Sequence, residues 1–182
     1  MMKKNGWMAV LAAAVIGVAA TGAQGAALID EGSSELGVGG ALDFVGVNGT
    51  SVDLSLRYGY FFWDQISIGG VFGLYNDDDL TRFEFGAVGE YNFRLDSEYR
   101  PLVGTDLVPF VGASLRYAYA DMSENKSALL LGAEGGVKFF LTDSAAVILS
   151  MAGDLATEKI FPDDGDMQNW DLALKLGMRF YF

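Results

Sequence analysis

The last thirteen residues read "WDLALKLGMRFYF" (residues 170–182), and their order decides the fold. Trp170, Leu172, Leu174, Leu176, Met178, Phe180 and Phe182 fall on one parity, and Asp171, Ala173, Lys175, Gly177, Arg179 and Tyr181 on the other. Side chains of a strand alternate between two faces, so this segment carries one wholly apolar face and one small or charged face. The apolar face needs a cover, and the cover is either protein or lipid.

The same alternation recurs upstream. "SELGVGGALDF" (34–44) sets Leu36, Val38, Leu42 and Phe44 against Glu35 and Asp43, and "SVDLSLRYGYFF" (51–62) sets Val52, Leu54, Leu56, Tyr58 and Tyr60 against Asp53, Ser55 and Arg57. A weaker, glycine-interrupted segment, "ISIGGVFGLY" (66–75), follows. "RFEFGAVGEYNF" (82–93) opposes Phe83, Phe85, Tyr91 and Phe93 to Glu84, Glu90 and Asn92. "FVGASLRYAYA" (110–120) carries Ser114 and Arg116 on its polar side, "ALLLGAEGGVKFF" (128–140) carries Glu134 and Lys138, and "AAVILSMAGDLA" (145–156) carries Ser150 and Asp154. With the last segment this makes about eight strands of roughly 10 residues each, the length a membrane β-barrel uses. The connections "VGVNGT", "YNDDDLTR", "ADMSENK" and "TEKIFPDDGDMQN" are polar or acidic and read as exposed loops.

Alternation alone fits a soluble β-sandwich as well as a membrane barrel. Three features favour the barrel. The polar parity is rich in Gly, Ala and Ser with isolated charges of both signs, which suits a narrow lumen where small residues make room for long ones. Aromatic residues gather near the segment ends, as interfacial girdles require. The chain has no Cys, whereas small secreted domains usually rely on disulfides. Strands in lipid leave no backbone group unpaired, so such a sheet must close. The fold expected is therefore all-β, an eight-stranded antiparallel up-and-down transmembrane barrel.

The first residues have the order of an export signal: "MMKKNG" is basic, "WMAVLAAAVIGVAA" is an apolar core of fourteen residues, and "TGAQGAA" is small. Residues 1–25 are expected to be a cleaved signal peptide, with cleavage as late as residue 27 also compatible, and 26–182 to form the barrel. The apolar core is short against the roughly 20 residues of a spanning helix. Removal of the leader leaves 10 Lys+Arg against 24 Asp+Glu, and a chain this acidic repels nucleic acid.

The sequence resembles the small outer-membrane barrels of Gram-negative bacteria, of the OmpA transmembrane-domain, OmpX and opacity-protein type. The resemblance covers the whole chain after the leader, and its most specific element is the terminal "LKLGMRFYF" with Met178, Phe180 and Phe182 on one face. It implies an outer-membrane location and assembly by the barrel-assembly machinery with periplasmic chaperones, Met178, Phe180 and Phe182 serving as the assembly signal. It also implies periplasmic termini and a lipid and lipopolysaccharide environment. The chain is expected to depart from full-length OmpA in ending with the barrel.

Enzymes among such barrels use a histidine base, and this chain has no His. A serine without a neighbouring base is inert. Glu84 and Glu90 share a face but lie about 20 Å apart along a strand, too far to act on one bond. No catalysis and no cofactor is expected. The acidic stretches containing Asp77, Asp78, Asp79, Asp163, Asp164 and Asp166 lack the spacing of a calcium loop and read as solvated surface or weak divalent bridges to lipopolysaccharide phosphates.

The inward parity collects Glu35, Asp53, Arg57, Glu84, Glu90, Arg116, Glu134, Lys138, Asp154, Lys175 and Arg179, with Asp43 and Asp171 beside them. An eight-stranded lumen is just wide enough for side chains, so these charges must pair. If the first and last strands close the sheet, Arg179 falls beside Glu35. Such a lumen supports a structural, envelope-integrity role. A gated narrow pore for ions or small solutes is the alternative, and binding of a partner through the exposed loops is a third reading.

Overall fold

The computed structural model describes residues 27–46, 49–76, 80–95, 106–121, 125–163 and 166–182. The strands in chain order are β1 (Ser34–Gly46), β2 (Gly49–Trp63), β3 (Ile66–Asn76), β4 (Thr81–Asn92), β5 (Asp106–Asp121), β6 (Lys126–Thr142), β7 (Ala145–Ala156), β8 (Phe161–Asp163), β9 (Asp166–Gln168) and β10 (Trp170–Tyr181). Eight of them close into one antiparallel barrel in the order β1-β10-β7-β6-β5-β4-β3-β2, while β8 and β9 form a separate small hairpin.

The alternation in sequence becomes alternation between lipid and lumen. Leu174 is 74% exposed and Leu131 60%, whereas Lys138 and Glu35 are fully buried. In a water-soluble sheet this relation would be reversed. The exposed apolar belt runs around the barrel, from Leu36 and Leu56 on β1 and β2 through Phe85, Leu115 and Met151 to Leu172 on β10. A patch of that extent is covered by hydrocarbon in a membrane, and closure satisfies the backbone groups there.

The barrel strands run from 11 residues in β3 to 17 in β6, longer than the roughly 10 read from sequence. The extra length arises at strand ends, where apolar alternation weakens while backbone pairing continues. β5 begins at Asp106, four residues before the segment read from Phe110. The connection read as a polar loop between β7 and β10 holds the β8–β9 hairpin, with Asp163 and Asp166 paired at its tip. Asp77, Asp78, Asp79 and Asp164, and the leader through residue 26, lie outside the described residues.

The last strand is held unequally on its two sides. β10 registers with β7 over eleven pairs, from Trp170↔Leu155 to Phe180↔Ala145. With β1 it registers over six, from Glu35↔Tyr181 to Gly40↔Leu176. Ser34 and Phe182 exchange two further backbone hydrogen bonds of 2.8 and 3.0 Å beyond that seam.

Each end of the barrel is stoppered by apolar side chains. At the end holding the chain terminus, the segment preceding β1 turns inward and buries Ile29 against Phe61, Val108, Phe140, Ala146 and Tyr181. Backbone and side-chain contacts tie it down: Gln65 N donates to Ile29 O at 2.8 Å, and Arg94 pairs with Asp30 at 2.5 Å. At the opposite, loop end, Ile160 and Phe161 fold over the mouth onto Leu80, Ala118, Ala120 and Leu130. These two apolar residues, embedded in a polar stretch, are what turn that connection inward.

Candidate functional site

Inward charges from seven strands gather at two levels of the lumen. The terminus-end cluster joins Glu35 of β1, Arg57 of β2, Glu90 of β4, Lys138 of β6 and Arg179 of β10. Arg57 reaches both carboxylates, with Nε 3.0 Å from Glu35 Oε1 and Nη1 2.9 Å from Glu90 Oε2. Lys138 Nζ does the same, contacting Glu35 Oε2 at 3.3 Å and also Glu90 Oε1. Arg179 stands further off, at 3.6 Å from Glu35 and 3.9 Å from Glu90. Ser67 donates its hydroxyl to Glu35 Oε1 at 3.4 Å. The Lys138 ammonium lies over the Phe110 ring at 5.2 Å and the Tyr181 ring at 5.5 Å, where the ring faces favour a cation.

Sequence creates the room for this cluster. Gly59 lies opposite Glu35 in the β1–β2 ladder, and a Cβ there would stand 2.8 Å from Glu35 Oε1. A side chain at that position would expel the carboxylate from its partners.

The loop-end cluster is a line. Arg82 Nε donates to Glu84 Oε1 at 2.7 Å, Glu84 Oε2 accepts from Arg116 Nη1 at 2.5 Å, and Arg116 Nη2 donates to Asp154 Oδ1. Arg82 also reaches the stopper above it. Its Nη1 donates to Ile160 O at 3.3 Å, and its guanidinium lies 4.7 Å from the Phe161 ring centre and 5.1 Å from that of Tyr75.

Arg82 was absent from the inward charges read from sequence because it closes the polar stretch "YNDDDLTR". Its parity with Glu84 was the available signal. Glu84 and Glu90, both on β4, belong to different clusters. Glu134 accepts a hydrogen bond from Ser150 at 2.6 Å and lies within electrostatic reach of Arg57 and Arg116 without a direct ion pair to either. Asp53 and Lys175 face a cavity of about 170 Å³ between the levels, as does Asp171, and none of the three takes part in the two sets of ion pairs described above. Asp43 belongs to a stretch whose side chains lie outside the described set. On the outer face Met178 and Phe180 are half-buried, and Phe182 is exposed.

Among the described residues no cluster of carboxylates has the arrangement of a metal site. The arrangement fastens strands on opposite walls to one another by charge, between apolar clusters at the two ends of the lumen.

A closed eight-stranded sheet with a lipid-facing belt and a charge-filled lumen defines a small integral membrane β-barrel of the outer-membrane type. Solved structures share this fold. The N-terminal β-barrel domain of Pseudomonas aeruginosa OprF is 17% identical with a TM-score of 0.58, covering 84% of this chain and 98% of that one. Neisserial surface protein A is 17% identical with a TM-score of 0.52, covering 82% and 95%. The Yersinia pestis outer membrane protein Ail in a phospholipid bilayer nanodisc is 17% identical with a TM-score of 0.51, covering 84% and 100%. No protein-family model and no curated protein matches the sequence. The likeness is one of fold.

Proposed function

We propose that this chain is a structural protein of the Gram-negative outer membrane that contributes to envelope integrity without catalysis. The observation supporting this reading is the lumen itself: a fully buried Lys138 shared by two fully buried carboxylates, beneath and above which apolar residues stopper the barrel. A mobile pore needs weak, replaceable contacts along its path, whereas these buried charges are held by one another. Planar-bilayer recording tests the reading. Reconstituted protein should show little or no conductance, and steady single-channel currents would refute it.

A gated narrow pore is the second reading, favoured by the cavity of about 170 Å³ and by Arg82, whose side chain links the loop-end stopper to the lumen charges. In that case Arg82→Met would raise conductance above that of the unaltered barrel. Partner binding through the loops is a third reading. Replacement of the four polar loops by Gly-Ser turns would abolish it without unfolding the barrel.

For biogenesis, residues 1–25 act as the cleaved leader, and Met178, Phe180 and Phe182 as the signal for the barrel-assembly machinery. Deletion of Phe182 also removes its pair of backbone hydrogen bonds to Ser34. The deletion should lower the heat-modifiable barrel recovered in outer-membrane fractions, read by semi-native electrophoresis. Undiminished recovery would remove the role.

A further inference from the structure

From Ala27 onward, the segment ahead of β1 is part of the folded barrel. Ala27 N donates to Asp106 Oδ2 at 3.3 Å, and Ala27 O accepts from Ile29 N at 2.9 Å. Ala27 and Leu28 pack against the apolar cluster in which Ile29 is fully buried. Ile29 O accepts from Gln65 N, Glu31 N donates to Asp64 Oδ1 at 3.0 Å, and Gly32 N donates to Phe61 O at 2.9 Å. Gln65 has a φ of 69°, a left-handed value that costs a side-chain-bearing residue energy, and in that pose it also accepts from Asn92 and Arg94. In the barrel order β5 stands opposite β1, four strands away in either direction. A segment that leads into β1 and also touches Asp106 at the start of β5 therefore crosses the mouth as a strap.

Two bonds have the small residues that leader cleavage requires, Gly25–Ala26 and Ala27–Leu28. Cutting the second would remove Ala27, its bond to Asp106 and the carbonyl used by Ile29 N, and would set an ammonium on Leu28 against the apolar cluster. Cutting the first keeps every one of these contacts. The strap also constrains the order of events. Nine residues separate Ala20, the last of the leader's apolar core, from Ile29, a reach of at most about 32 Å. A leader held in a second bilayer keeps Ile29 out of the mouth unless the two membranes stand within that distance.

We infer that removal of the leader is what allows the terminus-end mouth to close. Hydrolysis of the Gly25–Ala26 bond leaves the carboxylate on Gly25 and the amine on Ala26, and it frees Ala27–Ser33 to dock as the strap. The inference rests on the reading of residues 1–25 as a cleaved leader.

Intact mass tests the bond. The unaltered barrel from outer-membrane fractions should have the mass of residues 26–182. The mass of residues 28–182 would overturn the assigned bond and leave the leader reading standing, whereas the mass of the whole chain would overturn the leader reading itself. A thiol tests the coupling. The chain has no Cys, so Ala146→Cys, fully buried in the cluster with Ile29, introduces a single probe. In the processed, heat-modifiable barrel this thiol should resist a water-soluble maleimide, and adding Ile29→Ser should expose it. Gly25→Leu puts a bulky side chain at a position that must be small for either cut and should hold the chain as a precursor, in which the same thiol labels. Ready labelling of the processed barrel with its strap unaltered, protection that survives Ile29→Ser, or a protected thiol in the precursor would each overturn the coupling. If Ile29→Ser does not fold, the processed barrel and the precursor decide the matter.

Discussion

At the terminus end of the lumen, five charged side chains from five strands share their contacts, so each carboxylate serves more than one cation. At the loop end, four side chains stand in single file from Arg82 through Glu84 and Arg116 to Asp154, and each link is made once. The shared arrangement tolerates loss of a cation better than loss of an acid. In the line, any member breaks the connection. The loop-end line pairs two arginines with two carboxylates and is joined to the stopper above it, whereas at the terminus end three cations share direct ion pairs with Glu35 and Glu90.

The largest effect should follow from breaking the shared group at an acid. Glu90→Leu leaves three buried cations on Glu35 alone and should cost about 3–5 kcal/mol, read from reversible urea unfolding in lipid vesicles. A loss below about 1 kcal/mol, the scale of an exposed pair, would mean that these charges are well solvated.

Breaking the line at its centre comes next. Arg116→Leu separates Glu84 from Asp154 but leaves Glu84 with Arg82, so the loss should sit near the low end of that range, about 3 kcal/mol. Arg82→Met keeps the Glu84–Arg116 pair and removes the hold on Ile160 and Phe161. A loss of about 1–2 kcal/mol is expected from the stacking and hydrogen bond, together with faster proteolysis within residues 157–169. Glu134→Leu is the smallest perturbation, since its described contact is one hydrogen bond from Ser150, and about 1 kcal/mol should cover it. If Glu134→Leu proved as damaging as Arg116→Leu, membership of a cluster would not be what distinguishes these residues.

Much of this architecture was legible in the chain. Period-two alternation in residues 170–182 identifies both the strand and its lipid face, and the same test applied upstream yields the other seven walls of the barrel. The approach of Arg179 to Glu35 follows from closing the first strand on the last. Height within the lumen was not legible. Parity states which way Glu84 and Glu90 point but not that one joins Arg116 and the other Lys138, because level depends on the stagger between neighbouring strands. Asp53 and Lys175 illustrate the same limit: they have the inward parity, yet they line the cavity between levels and stay out of the clusters' ion pairs. Arg82, Ile160 and Phe161 were hidden for another reason. Each sits in a stretch whose average polarity marks a loop, while its position is set by individual side chains reaching into the mouth.

The uneven hold on the final strand gives the wall a direction in which to breathe. Residues 170–175 have a ladder to β7 but, among the described residues, none to β1, while the Ser34–Phe182 clasp fastens the far end. Thermal fraying of the cylinder therefore starts at the rim near Trp170 and travels toward the carboxyl terminus. Deuterium should enter the β1-facing amides of the upper edge long before it reaches those beside Arg179.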